Sequence, residues 1–370
     1  MYSYIVRRLA LVIPTLLGIM IINFIIIQAA PGGPVEQLIG EITGTSISAT
    51  ARVSVGTSSG ELSNQNTVIT DLTGSNKSQY RGAQGLPPEF IEQIEKQFGF
   101  DKPPHERFFH MIINYMAFDF GESFFRDETV LNLVLEKMPV SISLGIWTTL
   151  LVYIISIPLG VRKAINDGTR FDIWTSGVVI LGNAIPAFLF AILLIVIFAG
   201  GRYLDWFPLR GLTSDNWADL NSFDKIIDYF WHLALPILSL VIGGFAGLTM
   251  LTKNSFMEEI NKQYVITARS KGLREIKVLY GHVFRNAMLI VIAGFPSAFV
   301  GILFTGSLLT EIIFSLDGLG LLGFEAALNR DYPVMFGTLY FFTLLGLILG
   351  IVGDVMYHII DPRIDFESRE

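Results

Sequence analysis

The sequence predicts an all-α integral membrane protein with six transmembrane helices, and three observations support this fold class. Hydrophobic residues make up 51% of the 370-residue chain, and charged residues only 16%, whereas soluble domains carry about 25% charge. The apolar residues are grouped into six long runs that suit membrane-spanning helices. The chain contains no cysteine, which excludes disulfides, cysteine-bound zinc and thiol nucleophiles.

The first apolar run lies within residues 1–30, directly after Arg7 and Arg8. A secretory signal peptide is the alternative, because Ala29 and Ala30 would suit a cleavage site. The run holds about 20 apolar residues, enough to span a bilayer and longer than a typical signal-peptide core. We therefore expect an uncleaved first transmembrane helix.

Residues 31–138 are predicted to form a large insert outside the membrane. Residues 40–85 are rich in Ser, Thr, Gly and Asn, so they are predicted to be a flexible loop. Residues 86–126 are predicted to be mainly helical, because Pro87-Pro88 and Pro103-Pro104 each precede a stretch with helical spacing. The Gly-Glu-Ser at 121–123 indicates a turn within this range.

The remaining five runs predict spans within residues 139–360, followed by a tail at 361–370. They cover residues 141–161, 173–200, 231–252, 287–314 and 334–360. The spacings Gly243-xxx-Gly247 and Gly346-xxx-Gly350 are of a kind that lets helices approach closely, although such spacings are common by chance.

The distribution of charge predicts the orientation of the spans. If the N-terminus is cytoplasmic, the inner segments (1–8, 162–172, 253–286 and 359–370) hold 14 Lys or Arg in 65 residues. The outer segments (31–138, 201–230 and 315–333) hold 12 in 157 residues. Positively charged residues concentrate on the cytoplasmic side of membrane proteins, so we expect both termini inside and the 31–138 insert outside.

The most basic part of the chain is residues 262–286, here called the basic segment. Gly272 divides it, and a helix is predicted on each side. The first helix would continue an apolar stripe at four-residue spacing, formed by Phe256, Ile260, Tyr264 and Ala268. The second would carry the apolar stripe Leu273, Ile276, Tyr280 and Val283 beside a row formed by Arg274, Lys277, Gly281 and Arg285. The alternative is a basic loop held on the inner side by charge alone.

Motifs for catalysis are absent from the sequence. There is no G-x-x-x-x-G-K-[ST] loop to bind ATP phosphates, no H-E-x-x-H and no G-x-S-x-G. The five histidines are scattered, so no metal site is predicted. Asp354, Glu311 and Asn183 lie in or near spans, where ionisable groups are often functional. Because Asp354 and Glu311 lie near helix ends, an interfacial or helix-pairing role is favoured over a proton pathway.

The basic segment resembles the inner-membrane permeases of binding-protein-dependent ABC importers. Residues 266–272, ITARSKG, are similar to the E-A-A-x-x-x-G segment of that family, with Ile266 and Thr267 in place of Glu and Ala. Arg285 stands where the general pattern has Pro. The form Y-x-x-T-A-R-x-K-G-L followed by H-x-x-R-N-A, at 264–273 and 282–287, is typical of the dipeptide and oligopeptide branch. Further segments agree: RRL (7–9), APGGP (30–34), FGESF (120–124), FSLDGLGLL (314–322), RDYPVMFGT (330–338) and DPR (361–363).

The resemblance implies the type I ABC importer permease fold and a peptide transport subunit in the bacterial inner membrane. It implies a second homologous permease, separate ABC ATPase subunits that bind ATP and Mg²⁺, and a periplasmic peptide-binding protein, with no cofactor in this chain and no nucleic acid partner. Lipid surrounds the spans. A proton-coupled secondary peptide transporter is the alternative, and would need several carboxylates facing a cavity.

The resemblance also assigns residues. ATPase coupling would occur through the cytoplasmic loop 253–286, with the contacts made by Tyr264, Ala268, Arg269, Lys271, Gly272, Leu273 and Arg274. Gly272 would supply a backbone conformation that a Cβ disfavours. The substrate pathway is predicted to include Tyr153, Asn183, Phe188 and Thr305, each of which could instead face a helix partner or lipid.

Overall fold

The computed structural model describes residues 2–29, 33–35, 38–39, 89, 92, 96, 100–201, 203–301 and 308–360. Within these ranges the regular elements are helices, and β structure is limited to one isolated antiparallel bridge between Glu122 and Thr129. The predicted flexible loop at 40–85 and the tail at 361–370 lie outside the described residues. Glu89, Glu92 and Lys96, in the first predicted helix of the insert, are helical.

Twelve helices carry the fold in the part of the chain that the structure describes. They are α1 (Tyr2–Ala29), α2 (Pro104–Met116), α3 (Val130–Ile165), α4 (Arg170–Ala184), α5 (Ala187–Phe198), α6 (Ser222–Ile260), α7 (Gln263–Ser270), α8 (Glu275–Ala293), α9 (Phe295–Gly301), α10 (Leu308–Ile313), α11 (Leu319–Asn329) and α12 (Tyr332–Ile360). A single 3₁₀ turn, Trp217–Asp219, precedes α6.

Five of these helices, α1, α3, α6, α8 and α12, are long and apolar enough to cross a membrane. The helix pair α4 and α5 passes the same test jointly and would make a sixth span. The predicted fold class, an all-α protein with six spans, is therefore confirmed. Helices α3 and α6 extend beyond the predicted spans at both ends, because polar turns continue the helix past the apolar run.

The predicted third span is not a single straight helix. Helices α4 and α5 meet at an angle of 92°. Pro186 lacks a backbone N–H, and the residue before a proline is pushed out of helical geometry. Ile185 and Pro186 accordingly have extended backbones, with ψ angles of 118° and 133°.

The fifth span also differs from its prediction. Helix α8 begins at Glu275, within the basic segment, and contains a π-helical turn at Leu279–Val283. It ends at Ala293, and the rest of the predicted range 287–314 contains the short helices α9 and α10. The predicted second helix of the basic segment is therefore the beginning of a membrane span.

Residues 117–126, within the range predicted to be mainly helical, contain no helix. Helix α2 begins at the predicted proline pair but ends at Met116, and residues 117–126 form turns and bends. Phe118 and Gly121 have positive φ angles of 58° and 76°, which are incompatible with a continued right-handed helix.

The chain divides into two compact units, and both contain parts of α1 and α12. In the unit formed by residues 1–16, 134–322 and 341–370, one apolar cluster joins α3, α5 and α6. A second joins the C-terminal ends of α3 and α6 to α7 and α8. In the unit formed by 17–133 and 323–340, aromatic rings dominate. Tyr115 lies 4.8 Å from Phe120 and 5.7 Å from Tyr340, measured between ring centroids.

A close helix contact forms at a glycine outside the predicted pairs. A Cβ built on Gly160 of α3 would lie 2.6 Å from the Cβ of Thr252 and 2.8 Å from the carbonyl oxygen of Thr249, both in α6. A Cβ on Gly243 would meet Ala187 at 3.6 Å, and one on Gly247 or Gly350 would meet nothing within 4 Å. The close approach that small residues permit in membranes therefore occurs at Gly160.

We expect Gly160→Ala to destabilise the protein, because α3 and α6 must separate to admit the methyl group. Overpacking of this kind typically costs about 1–3 kcal/mol. The measurement is thermal unfolding of the purified complex in detergent. Gly247→Ala is the matched control, since it adds the same methyl group to α6 in open space. Equal melting temperatures for the two variants would contradict the contact.

Candidate functional site

The basic segment is built around a helix end at Gly272. The N–H of Gly272 donates to the carbonyl of Arg269 at 2.9 Å, and the N–H of Leu273 donates to the carbonyl of Ala268 at 3.4 Å. These two bonds form a Schellman motif, which requires a left-handed residue after the helix. Gly272 has a φ of 81°, so the predicted conformation is confirmed. A Cβ there would meet no atom within 4 Å, so the constraint lies in the backbone alone.

One face of the basic segment packs against the C-terminal ends of α3 and α6. Val265 and Ala268 of α7 and Val278 and Val283 of α8 are buried in the cluster that includes Val161 and Ala164 of α3. Leu273 packs against the same cluster. The segment is therefore fixed to α3 and α6 by apolar contacts as well as by chain connection.

Polar contacts fix the two ends of α7. The Tyr264 hydroxyl donates to Glu259 Oε2 at 2.7 Å, and burial together with this bond raises the pKa of that hydroxyl. Across the Gly272 turn, Arg269 Nε lies 3.0 Å from Glu275 Oε1, and Arg269 Nη2 donates to Glu275 Oε2 at 3.1 Å. This two-point contact joins α7 to the start of α8.

The predicted apolar stripe of the second helix is partly wrong. Val283 is buried and Leu273 is half-buried, but Ile276 and Tyr280 are 74% and 59% exposed. The π turn is the physical reason, because it adds a residue to one helical turn. The buried face consequently steps five residues, from Val278 to Val283. Ile276 and Tyr280 instead join the exposed surface with Lys271, Arg274 and Lys277.

A cleft of about 240 Å³ lies beside the turn. It is lined by the ends of α3 and α6, by α8, and by the Arg269–Glu275 pair. Of the seven predicted coupling residues, Tyr264 lies at the start of α7. The other six surround the turn: Ala268, Arg269, Lys271, Gly272, Leu273 and Arg274. Their role in coupling stays a prediction.

A buried charge cluster was not anticipated from the sequence. Lys163 of α3 has a fully buried side chain, and its Nζ lies 2.9 Å from Asp172 Oδ1 of α4. Lys253 Nζ of α6 lies 2.8 Å from Asp172 Oδ2 and 2.8 Å from Asp167 Oδ1. Two lysines and two aspartates thus join three helices next to the basic segment. The only sequence feature that pointed to this cluster is that all four charged residues lie at or just beyond the ends of apolar runs.

Glu311 organises the segment that follows α10. It is fully buried, and its carboxylate accepts from the Ser141 hydroxyl at 3.2 Å and from the Leu321 N–H at 2.7 Å. A Cβ on Gly318 would lie 2.5 Å from this carboxylate, so the 314–322 motif needs glycine there. A carboxylate at the N-terminus of α11 is also favoured by the helix dipole.

Two other motifs meet in the unit formed by residues 17–133 and 323–340. Asp331 Oδ1 accepts from the Phe124 N–H at 3.1 Å, and Oδ2 accepts from the Ser123 hydroxyl. Arg126 forms an ion pair with Glu325 at 2.8 Å. Burial raises the pKa of the Asp331 carboxyl, while the two hydrogen bonds oppose this effect. Segments 120–126 and 325–331, distant in sequence, therefore form one polar contact.

Asp354 pairs two helices. Its Oδ2 lies 3.1 Å from Arg8 Nη1 and accepts from the Tyr4 hydroxyl at 3.1 Å. This geometry supports the helix-pairing interpretation of Asp354, and it places the first-helix motif RRL against the end of α12.

The predicted pathway residues do not form one described cluster. Asn183 and Phe188 are exposed on the two sides of the bend between α4 and α5. Tyr153 is half-buried, donates to the Val291 carbonyl at 3.2 Å and packs edge-on against Phe295. Thr305 lies outside the described residues. In the ranges that the structure describes, no group of three or more His, Asp or Glu could hold a metal ion.

Comparison with known proteins places the chain in a family. Residues 156–366 match the family model described as "Binding-protein-dependent transport system inner membrane component". The chain therefore belongs to this family: it is a multi-pass inner-membrane permease of an ABC importer, and it is not itself an ATPase.

Individual relatives agree with this assignment. The chain is 61% identical to the "Peptidoglycan transport system permease protein YejB" of Agrobacterium fabrum, over 100% of both chains. It is 58% identical to the "Inner membrane ABC transporter permease protein YejB" of Escherichia coli O157:H7, over 100% of both. It is 32% identical to the "Oligopeptide transport system permease protein AppB" of Bacillus subtilis, over 99% of this chain and 100% of the relative. A solved inward-facing structure of the MetNI methionine ABC transporter is similar with a TM-score of 0.49, at 14% identity, over 62% of this chain and 97% of that one.

Proposed function

We propose that this chain is the permease subunit of an ATP-driven importer that moves peptides into the cell by alternating access. The observation that carries the proposal is the basic segment, which is apolar where it packs on the spans and exposed and basic elsewhere. A chain without a phosphate-binding loop needs such a surface to receive motion from a separate ATPase.

The basic segment would move as a rigid body when the ATPase displaces it. Helix α7 joins α6 directly to α8, and its buried face also contacts α3. A displacement of α7 would therefore move the inner ends of three spans together, as expected for rigid-body switching. The residues proposed to contact the ATPase are Tyr264, Ala268, Arg269, Lys271, Gly272, Leu273 and Arg274, and we now add the exposed Ile276 and Tyr280.

The proposed assembly contains a second homologous permease, ABC ATPase subunits that bind ATP and Mg²⁺, and a periplasmic binding protein. Both termini are proposed to be cytoplasmic, in agreement with the charge asymmetry of the sequence. The motif contact between Ser123 and Asp331 would then lie on the outer side, the side on which a periplasmic binding protein would dock.

The proposed substrates are oligopeptides. Support comes from relatives named for oligopeptide and peptidoglycan transport, so peptides released from peptidoglycan are the first class to test and peptide antibiotics the second. Asn183 and Phe188 remain the proposed pathway residues, since a broken helix in a transporter often borders its substrate site.

The test is reconstitution of the complete complex in liposomes with its binding protein. We expect ATP hydrolysis to be stimulated by peptide, and labelled peptide to accumulate only when ATP is present. Uptake should survive an uncoupler that abolishes the proton gradient. Uptake driven by that gradient without ATP would overturn the proposal in favour of a proton-coupled secondary transporter.

A further inference from the structure

Helix α2 carries apolar side chains on two different faces. Phe108 and Tyr115 face the unit that contains them. On a second face, Phe109, Ile113 and Met116 are 64%, 60% and 69% exposed. These three residues recur at helical spacing, so they form one stripe.

The contacts of α2 place it beside membrane-spanning segments. The Phe108 ring lies 5.1 Å from Phe24, which belongs to the candidate span Ser3–Gln28. The Tyr115 ring lies 5.7 Å from Tyr340, which belongs to the span Tyr332–Met356. At 1.5 Å rise per residue, Phe24 lies about 6 Å, and Tyr340 about 12 Å, from the end of its span. Amphipathic helices insert their apolar face about 5–10 Å into a bilayer interface, so Phe24 lies within this depth and Tyr340 just beyond it.

Polar residues occupy the other exposed edge of α2. His110 and Asn114 line a cavity of about 270 Å³, together with Arg107 and aromatic rings from α1 and α12. The first turn, with His105 and Glu106, is also polar and exposed. Helix α2 thus becomes less polar from its N-terminus towards Met116. Over the same length its neighbour changes from Phe24 to Tyr340, which lies further from the end of its span.

We propose that α2 is an interfacial helix whose stripe, Phe109, Ile113 and Met116, is inserted among the lipid chains of the adjoining leaflet. The occupant of this surface is the bilayer itself, because α2 packs against two apolar spans through Phe24 and Tyr340. In the same compact unit, α1 also exposes apolar side chains: Ile22, Ile25 and Ile26 are each about 60% exposed. The helix then separates lipid on one edge from the aqueous cavity on the other.

Single cysteines test this placement directly, because the chain has none of its own. The stripe variants are Phe109→Cys, Ile113→Cys and Met116→Cys. The matched controls on the polar edge are His110→Cys and Asn114→Cys. Each is labelled with a nitroxide in the intact complex, in nanodiscs of phosphatidylethanolamine and phosphatidylglycerol, and the complex without an introduced cysteine gives the background.

Power-saturation electron paramagnetic resonance then compares collisions with oxygen, which concentrates in lipid, and with a water-soluble nickel chelate. We expect the oxygen-to-nickel ratio to be several-fold higher on the stripe than at the controls, and to rise from position 109 to position 116. Equal ratios at all five positions would place the stripe in water. Protection of the stripe from both reagents would mean that a protein partner covers it. Either result would overturn the proposal.

Discussion

Replacing Gly272 by valine should leave the complex assembled but abolish most peptide uptake. Gly272 has a φ of 81°, and a β-branched residue in that region costs about 1–3 kcal/mol. The Schellman turn would relax, and α7 would lose its fixed angle to α8. Because 1.4 kcal/mol corresponds to a tenfold change in population, we expect about a tenfold or larger loss of peptide-stimulated ATP hydrolysis and uptake.

Gly201→Val is the matched control for Gly272→Val. Gly201 also has a positive φ, 65°, with open space around its Cβ position, but it lies in a predicted outer segment. The control should show similar backbone strain in thermal unfolding while retaining coupling. Wild-type uptake in Gly272→Val, or equal uncoupling by both variants, would remove Gly272 from the coupling mechanism.

The second large effect is expected at Lys163. Lys163→Met removes a cation from a cluster in which Lys163 and Lys253 balance Asp167 and Asp172. The buried Asp172 would lose one of its two cationic partners and share the other, Lys253, with the half-exposed Asp167. Breaking a buried ion pair typically costs about 3–5 kcal/mol, and the remaining contact with Lys253 should keep the loss near the lower end of that range. Thermal unfolding of the purified complex, together with its yield from membranes, provides the measurement.

A double variant separates lost charge balance from lost packing. In Lys163→Met/Asp172→Asn the remaining Lys253–Asp167 pair is neutral, so the double variant should be more stable than Lys163→Met alone. Lys96→Met is the surface control, because Lys96 pairs with Glu92 in the open, and it should leave the melting temperature unchanged. If the double variant is less stable than the single one, charge balance is not the source of the effect.

The existence and approximate positions of the six spans were predictable, because a bilayer requires long apolar runs that can be counted. The bend between α4 and α5 and the position of α8 along the chain were not predictable. The third span was predicted as one run although Pro186 disfavours a continuous helix, and the angle of 92° depends on the packing of α4 and α5 against α6. The start of α8 at Glu275 was missed because a helix can leave the membrane and continue through polar residues, which hydropathy does not register.

For the candidate site, local chemistry was predictable and long-range pairing was not. Glycine after a helix signals a left-handed cap, and Gly272 has that conformation. The exposure of Ile276 and Tyr280 follows from a π turn that no simple spacing rule reveals. The pairing of Lys163 with Asp172, or of Ser123 with Asp331, depends on which helices become neighbours, and one sequence does not contain that information.

The contact between Arg8 and Asp354 joins the first helix to the last, and this has a consequence for biosynthesis. At about 5–20 residues per second, the ribosome needs roughly 20–70 s to translate from Arg8 to Asp354. During that time α1 must remain in the bilayer without its final partner. Helix α1 buries little of its apolar surface against the rest of the chain, so it lacks few contacts during this interval. Closure of the Arg8–Asp354 pair is then among the last events of membrane insertion, and a nascent chain truncated before Asp354 would display an uncompensated arginine to quality-control proteases.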